Sequence, residues 1–400
     1  MNIESFRKIE QSVFYALVAA IGLVALIGMG ASYYMEEHGH VVTGMNNQIV
    51  WGMPHVFAVF LIVAASGVLN VASIGSVFGK TVYKARAPLS GLLAIAMLAG
   101  GLTVLMLDLG RPDRLIVAMT HYNFKSVFAL NVFFYTGFFS IVAIYLWTMM
   151  DRKMKAYSKY AGFAAFIWRL ALTTATGSIF GLLVARQAYA SALLAPMFII
   201  MSFSFGLAVF IIVQSVMYKW NGLVLDEAVR RRLKNLLAIF VSAVLYFTIV
   251  YHLTNLYYAK QVAFERFTLL NGGVYTSLFW VGQILVGTVA PLALLFHPDA
   301  AKKGRIAFIA ASLVIIGGMC QLYVLIIGAQ AFPLSIFPGM VESSSFFDGQ
   351  IHSYSPSLPE FLLGLGGVAI AGLITTIAVR VLHFMPQDDL QRIERQVITD

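Results

Sequence analysis

Three side chains that can exchange protons stand where apolar segments of the chain begin or end. His55 follows Trp51-Gly-Met-Pro54 at the start of one apolar segment, Asp108 closes the next, and Tyr135 lies in the first turns of a later one. A histidine titrates near neutral pH, and burial raises the pKa of a carboxyl group. Such groups suit a ligand that gains or loses protons when it reacts.

Five further polar residues fall at about the same membrane depth. They are Arg111, Tyr122, Asn123, Asn131 and His252. Asn131 precedes Tyr135 by four residues, so the two side chains share one face of a helix. A quinone needs donors for two carbonyl oxygens and moves two protons with two electrons. We therefore interpret His55, Asp108 and Tyr135 as proton-exchanging residues, and the other five as residues that bind the ligand.

Each residue also has a purely structural interpretation. Asp108 and Arg111 could pair and cap helix ends, and His55 could be an interfacial histidine. Tyr122 could belong to the aromatic belt of the membrane interface, and Asn131 could join two helices by a hydrogen bond. The convergence of so many polar groups at one depth favours a ligand site.

Composition restricts the class of protein. The chain has 400 residues, of which 60% are hydrophobic and 11% are charged, whereas a soluble domain carries roughly 25% charged residues. It is therefore interpreted as a polytopic membrane protein, and intrinsic disorder is excluded. The single cysteine, Cys320, excludes an internal disulfide and an iron–sulfur cluster of its own, which needs about four thiolates. The net charge of +9 does not indicate nucleic-acid binding, because the basic residues cluster between apolar segments.

Ten segments are long enough to cross a bilayer, which needs roughly 20 apolar residues per helix. They cover about 11–34, 55–78, 89–109, 126–148, 163–185, 197–218, 234–257, 276–296, 306–330 and 361–384. Lipid offers no partner for exposed backbone groups, and the segments lack the alternation of barrel strands. We expect an all-α polytopic membrane protein over 1–400, with the first segment retained as a helix.

The distribution of lysine and arginine predicts the orientation. The amino terminus, the even-numbered connections and the end of the chain carry 20 of these residues, and the other connections carry 6. Both termini, including a tail over 385–400, are therefore expected in the cytoplasm, with the helices in the inner membrane of the cell. The outer connections 35–54 and 331–360 lack lysine and arginine and carry Glu36, Glu37, Glu342, Asp348 and Glu360. They could dock an extramembrane partner or simply be solvated.

Two other functions fit ten helices. A secondary transporter of a small anion would place its substrate near the midplane at interrupted helices, whereas the polar groups here lie at one edge. A haem-b cytochrome subunit would need two histidines at matched depth, and His55 and His252 are the pair on the outer side. Haem b stays open as an alternative cofactor.

A longer motif carries a family resemblance. The segment Asp108-Leu-Gly-Arg-Pro-Asp-Arg-Leu115, with Tyr122-Asn-Phe-Lys-Ser-Val-Phe128 and Asn131-Val-Phe-Phe-Tyr135, resembles the NrfD/PsrC family. That family contains the membrane subunits of polysulfide reductase and related complexes. The segment 46–55 and the ten-span layout are similar to its DsrP branch, which belongs to a membrane complex linked to dissimilatory sulfite reductase.

The resemblance implies a fold and a set of partners. It implies two haem-free four-helix bundles, within 55–185 and 197–330, with flanking helices 11–34 and 361–384. It implies the quinone-reactive subunit of a menaquinol or quinone oxidoreductase, incomplete as an enzyme alone, that uses menaquinone or ubiquinone. The implied electron partner is a periplasmic ferredoxin-like iron–sulfur subunit, beside a haem-b membrane subunit, a cytochrome c subunit and a cytoplasmic iron–sulfur subunit.

The resemblance also reaches individual residues. Asp108, Arg111, Tyr122 and Asn123 match the family's loop motif, and Asn131 and Tyr135 match the helix that follows it. Some relatives carry a quinol-binding histidine deeper in the second span, where this chain reads Gly67-Val-Leu-Asn70. His55 lies nearer the outer end of that span, so its expected role rests on the outer cluster of polar residues and not on the resemblance.

Overall fold

The described part of the chain folds into ten long helices. The computed structural model describes residues 3–220, 225–334, 337, 340 and 349–382, and this part of the chain contains no strand. The helices long and apolar enough to cross a membrane are α1 (Gln11–His38), α2 (Met53–Ser76), α3 (Ala87–Leu107), α4 (Val127–Met150), α5 (Lys155–Gly181), α6 (Leu194–Trp220), α7 (Glu227–Tyr257), α8 (Val274–Phe296), α9 (Gly304–Ala331) and α10 (Leu358–Val381). The prediction of a multi-pass, all-α membrane protein is confirmed.

Helices that follow one another along the chain pack side by side. α2, α3, α4 and α5 contact one another in one group, and α6, α7, α8 and α9 form another. α2 joins the groups by packing against α6, while α1 and α10 pair with each other and α10 also lies against α2 and α3. Because successive helices alternate in direction, α2 begins where α3 ends. We call that end of the molecule the site face; α5, α7 and α9 also end there.

Close helix crossings depend on small residues, as is usual in membranes. At the crossing of α2 and α6, a Cβ on Gly206 would lie 2.0 Å from the backbone nitrogen of Val68. At the crossing of α2 and α3, a Cβ on Gly101 would lie 3.0 Å from the carbonyl oxygen of Ala58. These glycines therefore set how near α2 lies to its two neighbours.

Capping explains where two helices begin relative to the sequence prediction. The hydropathy pattern predicts α7 from 234, but the helix begins at Glu227 because the Asp226 side chain accepts a hydrogen bond from the Ala228 N–H at 3.2 Å. The same pattern predicts α10 from 361, but that helix begins at Leu358 because Ser357 and Glu360 form a capping box. The predicted tail 385–400, Glu342 and Asp348 lie outside the described residues.

Two of the spanning helices contain π-helical turns. α8 is π-helical over Leu278–Val289 and α9 over Val324–Gly328, and the connection before α8 contains another such stretch at Phe267–Asn271. π-Helical turns are rare and occur frequently at functional sites. All three lie in or beside the second group of helices.

Candidate functional site

The site is built around a contact between His55 and Asp108. His55 lies in the first turn of α2, directly after Pro54, and Asp108 is the C-cap residue of α3. The antiparallel packing of these helices brings His55 Nδ1 within 2.9 Å of Asp108 Oδ2. The His55 side chain is 22% exposed and that of Asp108 is 1% exposed. The pair thus joins a buried carboxylate to a histidine that solvent or lipid can reach.

The buried atoms of this pair lack hydrogen bonds. Despite the short distance, His55 Nδ1 and both carboxylate oxygens of Asp108 have no aligned hydrogen-bond partner in the part of the chain that the structure describes. A buried carboxylate without donors is costly, because it loses its hydration and gains nothing in return. The arrangement therefore has free acceptor capacity for O–H or N–H groups supplied from outside the protein.

The end of α3 is fixed by α1 and by the connection after it. Ser32 Oγ of α1 donates to the carbonyl oxygen of Leu107 at 3.0 Å, and His40 Nε2 lies 3.1 Å from the carbonyl oxygen of Asp108. These contacts occupy carbonyls that a helix end otherwise leaves unpaired. Sequence reasoning missed His40; the signal was a second histidine in a polar connection next to the candidate site.

The segment leading into α2, which we call the entrance segment (residues 49–52), is fixed by Gln330 at the end of α9. The Gln330 oxygen accepts from the N–H groups of Val50 and Trp51, each at 3.0 Å, and its nitrogen donates to the Trp51 carbonyl at 3.0 Å. Gln330 is 1% exposed. Sequence reasoning missed this residue, which lies 279 positions from Trp51.

Arg186, in the connection after α5, contacts the residue before the entrance segment and the end of α9. Its guanidinium donates to the carbonyl oxygen of Gln330 at 3.1 Å and to that of Gln48 at 2.7 Å. Burial lowers the pKa of Arg186. Arg186 therefore links the loop before α2 to the last turn of α9 through two hydrogen bonds from one planar group.

A second network fixes the first turn of α2 from the side of α10. Glu360 accepts from Tyr354 Oη at 2.6 Å and from the Gly44 N–H at 2.8 Å, and Tyr354 Oη in turn accepts from the Met53 N–H at 2.7 Å. Burial and the neighbouring carboxylate raise the pKa of Tyr354. Glu360 is fully buried at 0% exposure. The interpretation of Glu360 as part of an acidic docking loop is therefore wrong.

Aromatic rings surround the entrance segment. The Trp51 ring lies 6.2 Å from the His55 ring, 6.0 Å from Phe128, 5.7 Å from Phe180 and 6.2 Å from Tyr189. Such distances are typical of edge and offset ring contacts. Burial raises the pKa of Tyr189, whose hydroxyl donates to a backbone carbonyl of α9. His55 thus lies at the edge of a cluster of aromatic rings that cross one another at different angles.

The contacts described for the loop residues of the motif are local and do not include His55 or Asp108. Arg111 and Asn123 are exposed, and the Asn123 side chain accepts from the Lys125 N–H at 3.0 Å to form a local turn. Tyr122 stacks on Phe124 at 5.8 Å. The alternative pairing of Asp108 with Arg111 is not what the structure has, because the Asp108 carboxylate faces His55.

Asn131 and Tyr135 lie on α4. The Asn131 amide donates to the carbonyl of Ala175 on α5 at 3.2 Å and accepts from Thr176 at 3.3 Å. These contacts are those of a residue that joins two helices. Tyr135 is half-buried against the apolar core. Neither has a hydrogen bond to His55 or Asp108 among the described contacts.

His252 belongs to the other group of helices. It lies near the end of α7, and its Nδ1 contacts Glu265 Oε2 at 2.6 Å. His55 and His252, the two histidines considered for a haem, therefore each contact a carboxylate of their own group.

Comparison with known proteins gives a consistent result. A family model described as "Polysulphide reductase, NrfD" matches residues 41–334. The chain is 27% identical to the "Hdr-like menaquinol oxidoreductase integral membrane subunit" of Archaeoglobus fulgidus, over 97% of this chain and 98% of that relative. It is 24% identical to a putative membrane subunit of dimethyl sulfoxide reductase from Halobacterium salinarum, over 91% and 90% of the two chains. It is 21% identical to the "Menaquinone reductase, integral membrane subunit" of Nitratidesulfovibrio vulgaris, over 96% and 95%.

Proposed function

The chain belongs to the NrfD polysulphide reductase family, and from this premise we propose that it is the quinone-reactive membrane subunit of a multi-subunit oxidoreductase. The observation that carries the proposal is the contact of 2.9 Å between His55 and a buried Asp108 whose oxygens accept no hydrogen bond from the described residues. The substrate headgroup binds at this pair, from the site face, beside Trp51. Relatives named for menaquinol and menaquinone support menaquinone as the substrate.

The chemistry follows from the free acceptor atoms. Oxidation of a quinol releases two protons and two electrons, and each hydroxyl needs a base within hydrogen-bond reach. Asp108 accepts the proton of one hydroxyl through an oxygen that has no donor among the described residues, and the His55 imidazole accepts that of the other. His55, which is partly exposed, passes protons between this oxygen and the surroundings. The same groups supply protons when the reaction runs towards quinol.

The electrons pass to a partner protein on the site face. Relatives named as integral membrane subunits of a menaquinol oxidoreductase and a menaquinone reductase support an electron acceptor or donor that is supplied by another chain. The loop between α3 and α4 offers a surface for it, because Ile116, Val117 and Phe124 are 68%, 53% and 71% exposed. Exposed apolar residues of this kind are typical of protein interfaces. An iron–sulfur protein docked there lies next to Asp108 at the end of α3.

The membrane orientation belongs to the same proposal. The basic clusters lie at the end of the helices opposite the site face, so that end and both termini face the cytoplasm of the cell membrane. The site face and its iron–sulfur partner are then on the outer side. The ten-span layout and the segment 46–55 favour the sulfur-linked DsrP branch of the family, with its haem-b, cytochrome c and cytoplasmic iron–sulfur subunits.

The direct test is the substitution Asp108→Asn in the purified complex. It preserves the size of the side chain and removes its charge, so we expect kcat for quinol oxidation to fall by about 10²–10⁴-fold, the range for loss of a general base. The matched control is Asp113→Asn, since Asp113 lies nearer the surface in the loop after Asp108. Co-purification of the partner subunits shows that both variants assemble. Equal turnover in the two variants would place the reaction elsewhere.

A further inference from the structure

A second histidine–carboxylate pair lies on the site face in the second group of helices. Glu265 belongs to the short helix Val262–Arg266 after α7 and is 0% exposed. Its Oε2 lies 2.6 Å from His252 Nδ1, and its Oε1 accepts from the Asn255 amide at 2.8 Å. Both carboxylate oxygens therefore have partners. Asp108 differs, because its Oδ2 contacts His55 at 2.9 Å but neither of its oxygens accepts an aligned hydrogen bond from the described residues.

His252 opens towards the outside of the bundle. On α7 its neighbours Ile249, Leu253 and Leu256 are 49%, 60% and 42% exposed, so this side of the helix faces lipid. The His252 side chain keeps 15% of its surface exposed. Ionisable residues in membrane helices almost always face the bundle interior. A histidine at the lipid-facing side, backed by a buried carboxylate, requires a reason other than helix packing.

The two pairs occupy related places in the fold. The groups α2–α5 and α6–α9 each contain four helices in the same order of directions. Asp108 ends α3, the second helix of its group, and His252 lies near the end of α7, the second helix of the other. In each pair the histidine uses Nδ1 towards the carboxylate. Both pairs therefore lie at the site-face end of the second helix of a group, with the histidine and the carboxylate exchanged between them.

We propose that His252 and Glu265 form a second binding site for the headgroup of a membrane-soluble quinol. The carboxylate of Glu265 orients the Nδ1–H of His252 and leaves Nε2 as an acceptor for a quinol hydroxyl. Phe279 and Tyr251, whose rings lie 4.8 Å and 5.2 Å from the His252 ring, flank the headgroup. The exposed leucines of α7 contact the isoprenoid tail.

The two sites have different tasks. Because Glu265 is fully buried and both of its oxygens already contact His252 or Asn255, it orients His252 and does not contact the ligand. The second site therefore stores a quinol at the site face, with no electron transfer. This inference rests on the proposed function, since it takes the same substrate class as the first site.

The test counts bound equivalents of the fluorescent quinol analogue 2-heptyl-4-hydroxyquinoline N-oxide by quenching titration of the purified complex. We compare the wild-type complex with His55→Ala, His252→Phe and the double variant. His121→Phe is the matched control, since His121 is an exposed histidine in the loop between α3 and α4. His252→Gln, whose amide can still donate to Glu265, replaces His252→Phe if that variant does not assemble.

We expect the wild type and His121→Phe to bind one equivalent more than either single variant, and the double variant to bind none. If His55→Ala removes bound analogue and the His252 variants bind as much analogue as the wild type, this inference is overturned and the first site is supported. Loss of the analogue only in the His252 variants would overturn the proposed function instead. A bound phospholipid that disappears from native mass spectra of His252→Gln, with analogue binding unchanged, would also overturn the inference.

Discussion

Replacing Gln330 with alanine tests whether the entrance segment must be fixed for the site to work. The Gln330 side chain accepts hydrogen bonds from the N–H groups of Val50 and Trp51 and donates one to the carbonyl of Trp51, each at 3.0 Å. Alanine at position 330 removes the partner of these three backbone groups. Because Gln330 is 1% exposed, the substitution is made in a buried place. At about 1 kcal/mol net for each hydrogen bond, the entrance segment loses about 3 kcal/mol.

This loss predicts a large kinetic effect although no proposed proton-exchanging group is removed. Because about 1.4 kcal/mol corresponds to a tenfold change in an equilibrium constant, the equilibrium between the ordered and the displaced entrance segment shifts by about 100-fold towards the displaced one. His55 follows the entrance segment closely, and a displacement of about 1 Å at a reacting group costs about 10²-fold in rate. We therefore expect kcat/KM for quinol oxidation to fall by about 100-fold in Gln330→Ala.

The assay is steady-state oxidation of a short-chain quinol by the purified complex, with assembly followed by co-purification. The control is Gln48→Ala, because Gln48 lies next to the entrance segment and contributes its backbone carbonyl, which accepts from Arg186. We expect Gln48→Ala to retain wild-type kinetics. If Gln330→Ala and Gln48→Ala have the same kcat/KM, the entrance segment does not position His55.

Three further predictions follow from other contacts of the site. Gly101→Val should lower turnover by displacing α2 from α3, since even a Cβ at this position would lie 3.0 Å from the Ala58 oxygen. The control Gly91→Ala should have wild-type activity, because the nearest contact of its Cβ is at 3.6 Å. Equal turnover in the two variants would contradict this prediction. Arg186→Lys should raise the rate of thermal inactivation, because lysine cannot reproduce two contacts at 3.1 Å and 2.7 Å from one planar group; an inactivation rate like that of the wild type would argue against this role. Above about pH 10 the unfolded chain ionises its tyrosines while the raised pKa of Tyr354 keeps it protonated in the folded protein. Stability should therefore fall as pH rises through this range, and less steeply in Tyr354→Phe; identical pH profiles of thermal unfolding would refute this explanation.

Hydropathy and charge are sufficient to predict the spanning helices. Each of the ten apolar segments corresponds to one long helix, because lipid forces the backbone to satisfy its hydrogen bonds within each segment. The ends are less predictable. The basic run before position 234 is expected outside α7, but it lies inside the helix, where Lys234 donates to the Leu295 carbonyl at 2.7 Å.

The contact between His55 and Asp108 can be predicted from the sequence because it depends on two apolar segments that follow one another along the chain. One residue opens an apolar segment and the other closes the next, so two antiparallel neighbours bring them together. The residues that hold the site in place cannot be predicted in this way. Gln330 and Glu360 contact the entrance segment and Gly44 from positions 279 and 316 residues away, and no periodicity connects them.

Glu265 escapes sequence reasoning for a different reason. It lies in a connection and resembles an ordinary loop residue, although it stands between Phe264 and Phe267. A lone acidic residue among aromatics is a signal of burial, and Glu265 is fully buried against His252. The position of His252 along its apolar segment indicates its depth but contains no information about this partner.

The most direct measurement is photolabelling of the complex with an azido-quinone, followed by peptide mass spectrometry, with and without excess unlabelled quinone. We predict that quinone-protected labels fall on the entrance segment and on the first turn of α2 near His55, and that Asp108→Asn reduces them. Protected labels confined to the opposite end of the helices, around the basic clusters, would contradict it.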